Sequence, residues 1–519
     1  MARPRGGGGG ALTLPAWLRV SWVIPATFLV VFLLLPLGNV IANSASTHAF
    51  VTLRASTTWS VLALSLGQAA LSTALSLAIG LPIALTLATT SFRGRALVQA
   101  LATVPFVLPT VVVALAFKAL FGGEGLWLVV LAHAYINLAV IVRIVGAQAA
   151  QLDPRIPIVA RTLGATKLRS FWSVSFPALR PAIISAAAVV FIFCFTSLGI
   201  VMLIGDGSTR TLESLILRQT SVLLDFSGAA ALAIVQVIVV AIVLTIGFVF
   251  SRSDIAQRDQ TRVNKPGPDI WQRFVIAGTV VITVAPVAAL LIASRSSWSL
   301  LNSIDAGTNR IGSPLAALGT SLLFAVICGV IAALVGGLAG IAVLAHSWGR
   351  VMALVAIVPL GISSATLGLG MLMTFSRPPL DLRPTGLLIP LAHSLIAIPV
   401  VVAVVTPTLR SADSRIASVA ATLGAGPTRA FLTAYGSTLR IVIIAAAGLA
   451  CAISLGEFGA ASFLARAPQP TVPIQIARLL ARPGEASYGV AAALAVVLVA
   501  LTLALVLSVD RLAAKKVTT

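Results

Sequence analysis

Charged residues are what this chain has least of. Asp, Glu, Lys and Arg make up 9% of its 519 residues, against 59% apolar, and a soluble chain of that length cannot cover its surface with so few. Soluble enzyme, secreted scaffold and disordered protein are excluded, and an integral membrane protein remains. Cysteine is scarcer still. Cys194, Cys328 and Cys451 each fall inside an apolar run without ligand-like spacing, so they read as small packing residues, not as a disulfide framework or a zinc site. The chain has no G-x-x-x-x-G-K-[ST] phosphate loop. Gly164-Ala-Thr-Lys167 offers a lysine close behind a lone glycine, so ATP hydrolysis by the chain itself is excluded. Nucleophile elbow and dinucleotide fingerprint are missing too. No catalytic residue, bound metal or bound cofactor is expected.

What the chain has in quantity is apolar length. About 20 residues span a bilayer, and twelve runs of that order lie near 18–42, 60–88, 96–121, 126–150, 181–204, 228–250, 272–293, 315–345, 351–375, 385–408, 438–463 and 487–509. The expected fold is an all-α integral membrane protein with about 12 transmembrane helices. Trp17, Trp22, Trp59, Trp127 and Trp271 sit at or near span starts, where an amphipathic ring prefers the interface. The formal net charge of +21 comes from basic residues scattered singly between spans, which points to membrane topology and away from nucleic acid. With the N-terminus inside, alternate loops place 24 of the 35 Lys and Arg on the cytoplasmic side. Both termini are therefore expected in the cytoplasm, the chain being multi-pass in a cell (plasma or inner) membrane. Residues 1–17, basic and glycine-rich, are expected as a flexible cytosolic tail before an uncleaved first span, and 512–519 as a second cytosolic tail.

The chain divides in two. The polar stretch 251–270, SRSDIAQRDQTRVNKPGPDI, closes on a Pro-Gly-Pro turn and reads as a cytosolic linker between a first transmembrane half, 18–250, and a second, 271–511. Leu131-Ala-His133 returns as Leu391-Ala-His393, and DPRIPIVARTLGA from Asp153 returns as DSRIASVAATLGA from Asp413, both at an offset of 260 and with nine of the thirteen positions identical. Each half holds an even number of spans, so the two six-helix repeats run parallel, related by a pseudo-two-fold axis along the membrane normal.

The best-kept part of the repeat is the cytoplasmic loop between the fourth and fifth spans, which lipid contact does not explain. A loop kept alike in both halves suggests a paired partner. In the first copy Asp153 and Arg155 precede a short helical stretch through Ala160, Leu163-Gly164-Ala165 allows a tight turn, and Phe171 starts a second amphipathic piece ending at Pro177. A short helix, a turn and a second helix lying on the membrane surface are expected. The second copy supplies Asp413, Arg415, Ala420, Leu423, Gly424, Ala425 and Phe431 in register.

On these residues the chain resembles the permease subunits of binding-protein-dependent ABC importers. Their cytoplasmic loop follows Glu-Ala-Ala, three residues, Gly, nine residues and an Ile-x-Leu-Pro-like ending. Gly164 followed by Val174-Ser175-Phe176-Pro177 fits that spacing. The Glu position is Ile158 in one half and Ser418 in the other, and Ala434-Tyr435-Gly436-Ser437 stands where the second copy would close. The resemblance implies a type I-like importer permease fold whose loops 153–177 and 413–437 dock on two ATP-binding-cassette ATPase subunits. It also implies ATP and Mg bound on those partners and an extracytoplasmic solute-binding protein. LAHAYINLAVIVR from Leu131, CFTSLGIVMLIGDGSTRTLESLILRQ from Cys194 and SLGEFGAASFLARAPQPTVPIQIARLL from Ser454 are similar in order and position to the iron(III) and thiamine permeases, in which one chain holds both halves. The Ser454 stretch also resembles molybdate and sulfate permeases, which keeps an oxyanion open as the solute.

Glu457 is the one acid well inside an expected span, where a carboxylate is costly enough to be a functional candidate. Flanked by Gly456 and Gly459, it either bonds neighbouring helix backbone or faces the path between the halves, opposite Thr196 and Ser197. The path reading favours a cationic solute. His133 and His393 read as buried interhelical hydrogen-bonding residues in preference to metal ligands, with Asn137 one turn on sharing the His133 network. The outer loops 205–227 and 464–486 follow the fifth span of each half. By the resemblance, Arg210, Glu213, Arg478 and Arg482 are candidates for contact with the binding protein; otherwise they are solvated loop charges. The rival class is a twelve-helix, ion-coupled secondary transporter, which needs several buried ionisable residues where Glu457 stands nearly alone.

Overall fold

The computed structural model describes residues 15–514 apart from 16–17, 19, 154, 251–265, 302–312, 346–347, 379, 411–413 and 467–468. Trp17, Asp413, nearly all of the expected N-terminal tail and most of the expected linker and C-terminal tail lie outside the described residues. Within them all regular structure is helical. The first half runs α1 (Val23–Ser44), α2 (Thr47–Arg54), α3 (Ser56–Thr89), α4 (Arg95–Val107), α5 (Thr110–Phe121), α6 (Leu126–Gln151), α7 (Arg155–Thr162), α8 (Leu168–Phe195), α9 (Gly199–Ile204), α10 (Leu212–Ser221) and α11 (Phe226–Phe250). The second runs α12 (Ile270–Ser294), α13 (Pro314–Ala345), α14 (Gly349–Ile357), α15 (Ser364–Thr374), α16 (Leu388–Arg410), α17 (Ser414–Thr422), α18 (Pro427–Gly456), α19 (Gly459–Leu464), α20 (Val472–Leu480) and α21 (Glu485–Ala514).

Among the described residues ten helices are long and apolar enough to cross a membrane, and two bent pairs bring the number to 12 if each pair is one span. The bent pairs are the expected spans at 96–121 and 351–375, each broken near its middle. α4 and α5 meet at 107°, and the segments Val351–Gly361 and Ser364–Thr374 at 98°. The first bend follows from sequence chemistry: Leu108 precedes a proline, which drives it out of helical conformation (φ −70°, ψ 135°), and Pro109 has no N–H with which to continue the ladder. At the second, Ile362 is extended (φ −115°, ψ 132°) and Ser363 restarts the helix, its Oγ accepting the Thr366 N–H at 3.0 Å. The expected span 438–463 is broken as well, since α18 ends at Gly456 and a short α19 begins at Gly459.

The two halves are interlocked. α1 packs on α13 and α15 of the second half, while α12 packs on α4 and α5 of the first, a reciprocal exchange of first spans. Leu18, just ahead of α1, is buried in the second half's apolar core, and Trp22 meets Trp348 edge to face at 5.4 Å. Each half also fastens the short helix that follows its fifth span in the same way. Ser65 on α3 accepts the Leu212 N–H at 2.8 Å, and Ser321 on α13 accepts the Val472 N–H at 2.8 Å. These bonds satisfy N–H groups at the starts of α10 and α20 that no helical turn supplies. Trp59, Trp127 and Trp271 are exposed on the outer surface, as interfacial anchors require.

Candidate functional site

The two repeated loops build the same hairpin. α7 and α17 each end in a glycine with a left-handed backbone, Gly164 at φ +90° and Gly424 at φ +88°. The Ala165 N–H reaches back to Ala160 O at 3.1 Å and the Gly164 N–H to Arg161 O at 3.0 Å; Ala425 to Ala420 and Gly424 to Ala421 repeat both bonds at 3.0 Å. This paired closure satisfies the last carbonyls of each short helix and requires a residue without a Cβ penalty at the turn. Asp153 starts the first copy, its carboxylate accepting the Arg155 N–H at 2.9 Å.

Both hairpins leave an apolar ridge uncovered. Leu163 is 83% exposed and Leu423 82%, with Ile158 and Val159 beside the first and Ile416 and Val419 beside the second. The expected second helix on the membrane surface is corrected. In the first copy a π turn at Phe171–Ser175 leads straight into the fifth span, and in the second α18 begins at Pro427 and is continuous to Gly456. Pro177 removes one donor from the helix, and the wider turn just upstream accommodates that loss. Phe171 meets Trp172 edge-on and Trp172 meets Phe176 at a tilt along this stretch, and Phe431 and Tyr435 make a tilted pair in the other copy. Each hairpin is thus mounted rigidly on the span that follows it.

The second site is where the helix breaks converge. A Cβ on Gly456 would lie 3.4 Å from Pro109, and one on Gly199 would lie 3.4 Å from Phe458 and 2.6 Å from the Thr110 hydroxyl. The breaks after α4 and α8 in one half therefore adjoin the break after α18 in the other. Glu457 stands at its break as the residue that follows α18, between two helices within the broken run 438–463. Its Oε1 accepts the Ala460 N–H at 3.1 Å, and the Ser364 hydroxyl bonds it from α15. Ser197 occupies the corresponding position in the first half, and its buried Oγ has no protein partner. Thr196 donates to Ile192 O at 2.8 Å within its own helix. α5 and α15 begin at this centre, so the positive ends of two half-helices lie beside the Glu457 carboxyl.

The histidines are interhelical, as expected. His133 Nδ1 meets the Gln68 side chain at 2.7 Å, tying α6 to α3, and His393 Nδ1 meets the Ser454 hydroxyl at 2.8 Å, tying α16 to α18. Asn137 donates to the His133 carbonyl at 2.9 Å and so joins the same network. Among the described residues no three His, Cys, Asp or Glu side chains gather closely enough to hold a metal. Arg210 is exposed, and Arg478 and Arg482 are half-buried. Glu213 is not a surface residue. It is fully buried, with its Oε1 accepting from Gln236 at 2.7 Å, which removes it from the candidates for contact with a binding protein. Sequence reasoning missed Gln236, Ser363 and Thr366; the lone amide inside the apolar α11 was the signal that marked them.

A family model for the inner membrane component of binding-protein-dependent transport systems matches residues 76–254. The chain is 33% identical over 191 residues to the putative 2-aminoethylphosphonate transport system permease protein PhnV of Salmonella paratyphi A, covering 37% of this chain and 69% of that protein. The chain belongs to this permease family. The permease is also 33% identical over 188 residues to the sulfate transport system permease protein CysT of Salmonella typhimurium, covering 33% of this chain and 67% of that one. To the thiamine transport system permease protein ThiP of Salmonella typhimurium it is 26% identical over 243 residues, which is 42% of this chain and 45% of that protein. These relatives carry three chemically different solutes in their names, so kinship leaves the permease's own solute open.

Proposed function

We propose that this permease is the membrane subunit of an ATP-driven importer. Two ATPase subunits, which carry the ATP and Mg, dock on the hairpins 153–177 and 413–437 at the cytoplasmic face, and an extracytoplasmic binding protein delivers the solute opposite. The observation that carries the reading is the pair of exposed leucines, Leu163 and Leu423, at matching places on two like-built hairpins. An apolar ridge facing water needs a partner, and a pair of them needs a pair. Ala160, Leu163, Gly164, Ala165 and Phe171 in one copy and Ala420, Leu423, Gly424, Ala425 and Phe431 in the other shape the docking surface. Both termini lie in the cytoplasm, and the energy enters as a difference in ATPase affinity between inward- and outward-facing states. Arg210, Arg478 and Arg482 are the contacts offered to the binding protein.

The path runs between the halves past Thr196, Ser197 and Glu457. The Glu457 carboxyl supports a solute with a cationic group, of the iron(III) or thiamine type. A second reading, an oxyanion such as sulfate, is favoured by the half-helix N-termini at the same centre and by the sulfate relative. Detergent extraction followed by pull-down and mass spectrometry tests the assembly. The intact chain is expected to retain a nucleotide-hydrolysing subunit, and a Gly164→Pro, Gly424→Pro variant is expected to lose it, because proline cannot adopt the left-handed turn. Retention by both, or by neither, contradicts the reading.

A further inference from the structure

Four buried polar side chains join the two halves outside the translocation residues. Gln236 on α11 donates from Nε2 to Glu213 Oε1 at 2.7 Å, while its Oε1 accepts from Ser363 at 3.0 Å and from Thr366 at 3.1 Å. Glu213 and Gln236 belong to the first half, and Ser363 and Thr366 to the start of α15 in the second. All four are at most 4% exposed. The pseudo-two-fold relation makes this network unusual. The counterpart of Glu213 is Pro473, since Leu212 and Val472 make the same bond to the second span. The counterparts of Ser363 and Thr366 are Pro109 and Val112, one residue before and two after the first residue of α5. The Ala-Ala-Ala-Leu-Ala runs at 229–233 and 491–495 place Leu498 opposite Gln236. The same seam is apolar on the other side, so packing alone does not need the polar group.

We infer that Glu213, in its protonated form, closes a hydrogen-bonded clasp between the halves that holds the conformation seen here, and that loss of its proton loosens the clasp. The inference rests on the importer reading for its consequence in transport but not for its structure. Glu213 Oε2 is buried with no protein partner, a position that disfavours a charged carboxylate. Burial, opposed by the bond from Gln236, raises the carboxyl from its ordinary range to about 8. The helices packed around it, α3, α11, α15 and α19, contain no titratable side chain; Glu457, just before α19, is the ionisable group whose field reaches it and adds to the rise. The sign follows. The protonated form is favoured in the closed structure, so the clasp's contribution is fully present below the ordinary carboxyl range and is lost as pH rises from there through about 8, the proton passing to bulk water. Above that value a charged carboxylate with one unpartnered oxygen is left buried in the seam, and separation of α10 from α15 relieves it.

The test uses the permease with its ATPase and binding protein in lipid nanodiscs, and reads solute-independent ATP hydrolysis from about pH 6 to about pH 9. Wild type is expected to rise about fivefold across the transition, the low end of ordinary coupling between sites. Glu213→Gln, which keeps the clasp and carries no charge, is expected to stay low and flat. Gln236→Leu copies the apolar side of the seam, folds, and is expected to be high throughout. A second readout is the infrared carbonyl band of the purified chain: a buried protonated carboxyl that disappears near the same pH and is missing from Glu213→Gln. No such band in wild type, or a Glu213→Gln profile that follows wild type, overturns the clasp. A titrating band in a chain that binds no ATPase leaves the clasp standing and removes the importer reading instead.

Discussion

Gly80 on α3 faces Ile141 on α6 so closely that a Cβ at Gly80 would lie 2.8 Å from Ile141 Cβ, and Gly336 faces Val401 at the same 2.8 Å in the second half. In lipid, helices associate by close packing and not by expulsion of water, so small residues sit where backbones approach. Gly80→Val and Gly336→Val are each predicted to destabilise the permease by about 1–3 kcal/mol through overpacking. Thermal unfolding in detergent measures it. Gly38→Ala is the control: nothing lies within 4 Å of its added methyl, and a change within about 0.5 kcal/mol is expected.

The His393–Ser454 bond predicts non-additive losses. His393→Leu strands the buried Ser454 hydroxyl and is expected to cost about 1–3 kcal/mol. Adding Ser454→Ala removes the stranded group, so the double variant is expected to melt higher than His393→Leu alone. Equal melting of the two would show that the bond ties nothing.

Glu457 separates a charge role from a structural one. Glu457→Gln keeps an oxygen for the Ala460 N–H and is expected to fold normally, whereas Glu457→Leu leaves the first turn of α19 without its acceptor. If the carboxyl receives a cationic group in transit, Glu457→Gln weakens competition by that solute about tenfold, or about 1.4 kcal/mol, with no change in melting. Uptake assays with cationic and oxyanion competitors read the difference.

Much of this architecture is legible in the sequence because its causes are local. Span number follows from apolar length, the left-handed turns from Gly164 and Gly424, and the bend of the third span is written in Leu108-Pro109, although run length alone conceals it. The second bend, at Ile362-Ser363, is marked only by a serine cap within an apolar stretch, which is a weak signal. Glu213 is different in kind. In the pattern TLESLILRQ a glutamate on a short external helix looks solvated, and its burial is decided by α15, 150 residues further along the chain. Gln236 carries the hint, being the one amide of α11, but its partners follow only from how the halves interlock. The fusion of the second helix of the first hairpin with the fifth span was likewise hidden, because Pro177 reads as a helix boundary.

The proposed docking of ATPase subunits on the two hairpins is tested most directly by ATP hydrolysis stimulated by the loaded binding protein in proteoliposomes, using wild type and a Leu163→Asp, Leu423→Asp variant. Both leucines are more than four-fifths exposed, so the substitutions are expected to change stability by no more than about 0.5 kcal/mol. Stimulation is predicted to be abolished in the variant while its melting temperature holds. Full stimulation in the variant, or solute accumulation by the chain alone on an ion gradient, would contradict the account.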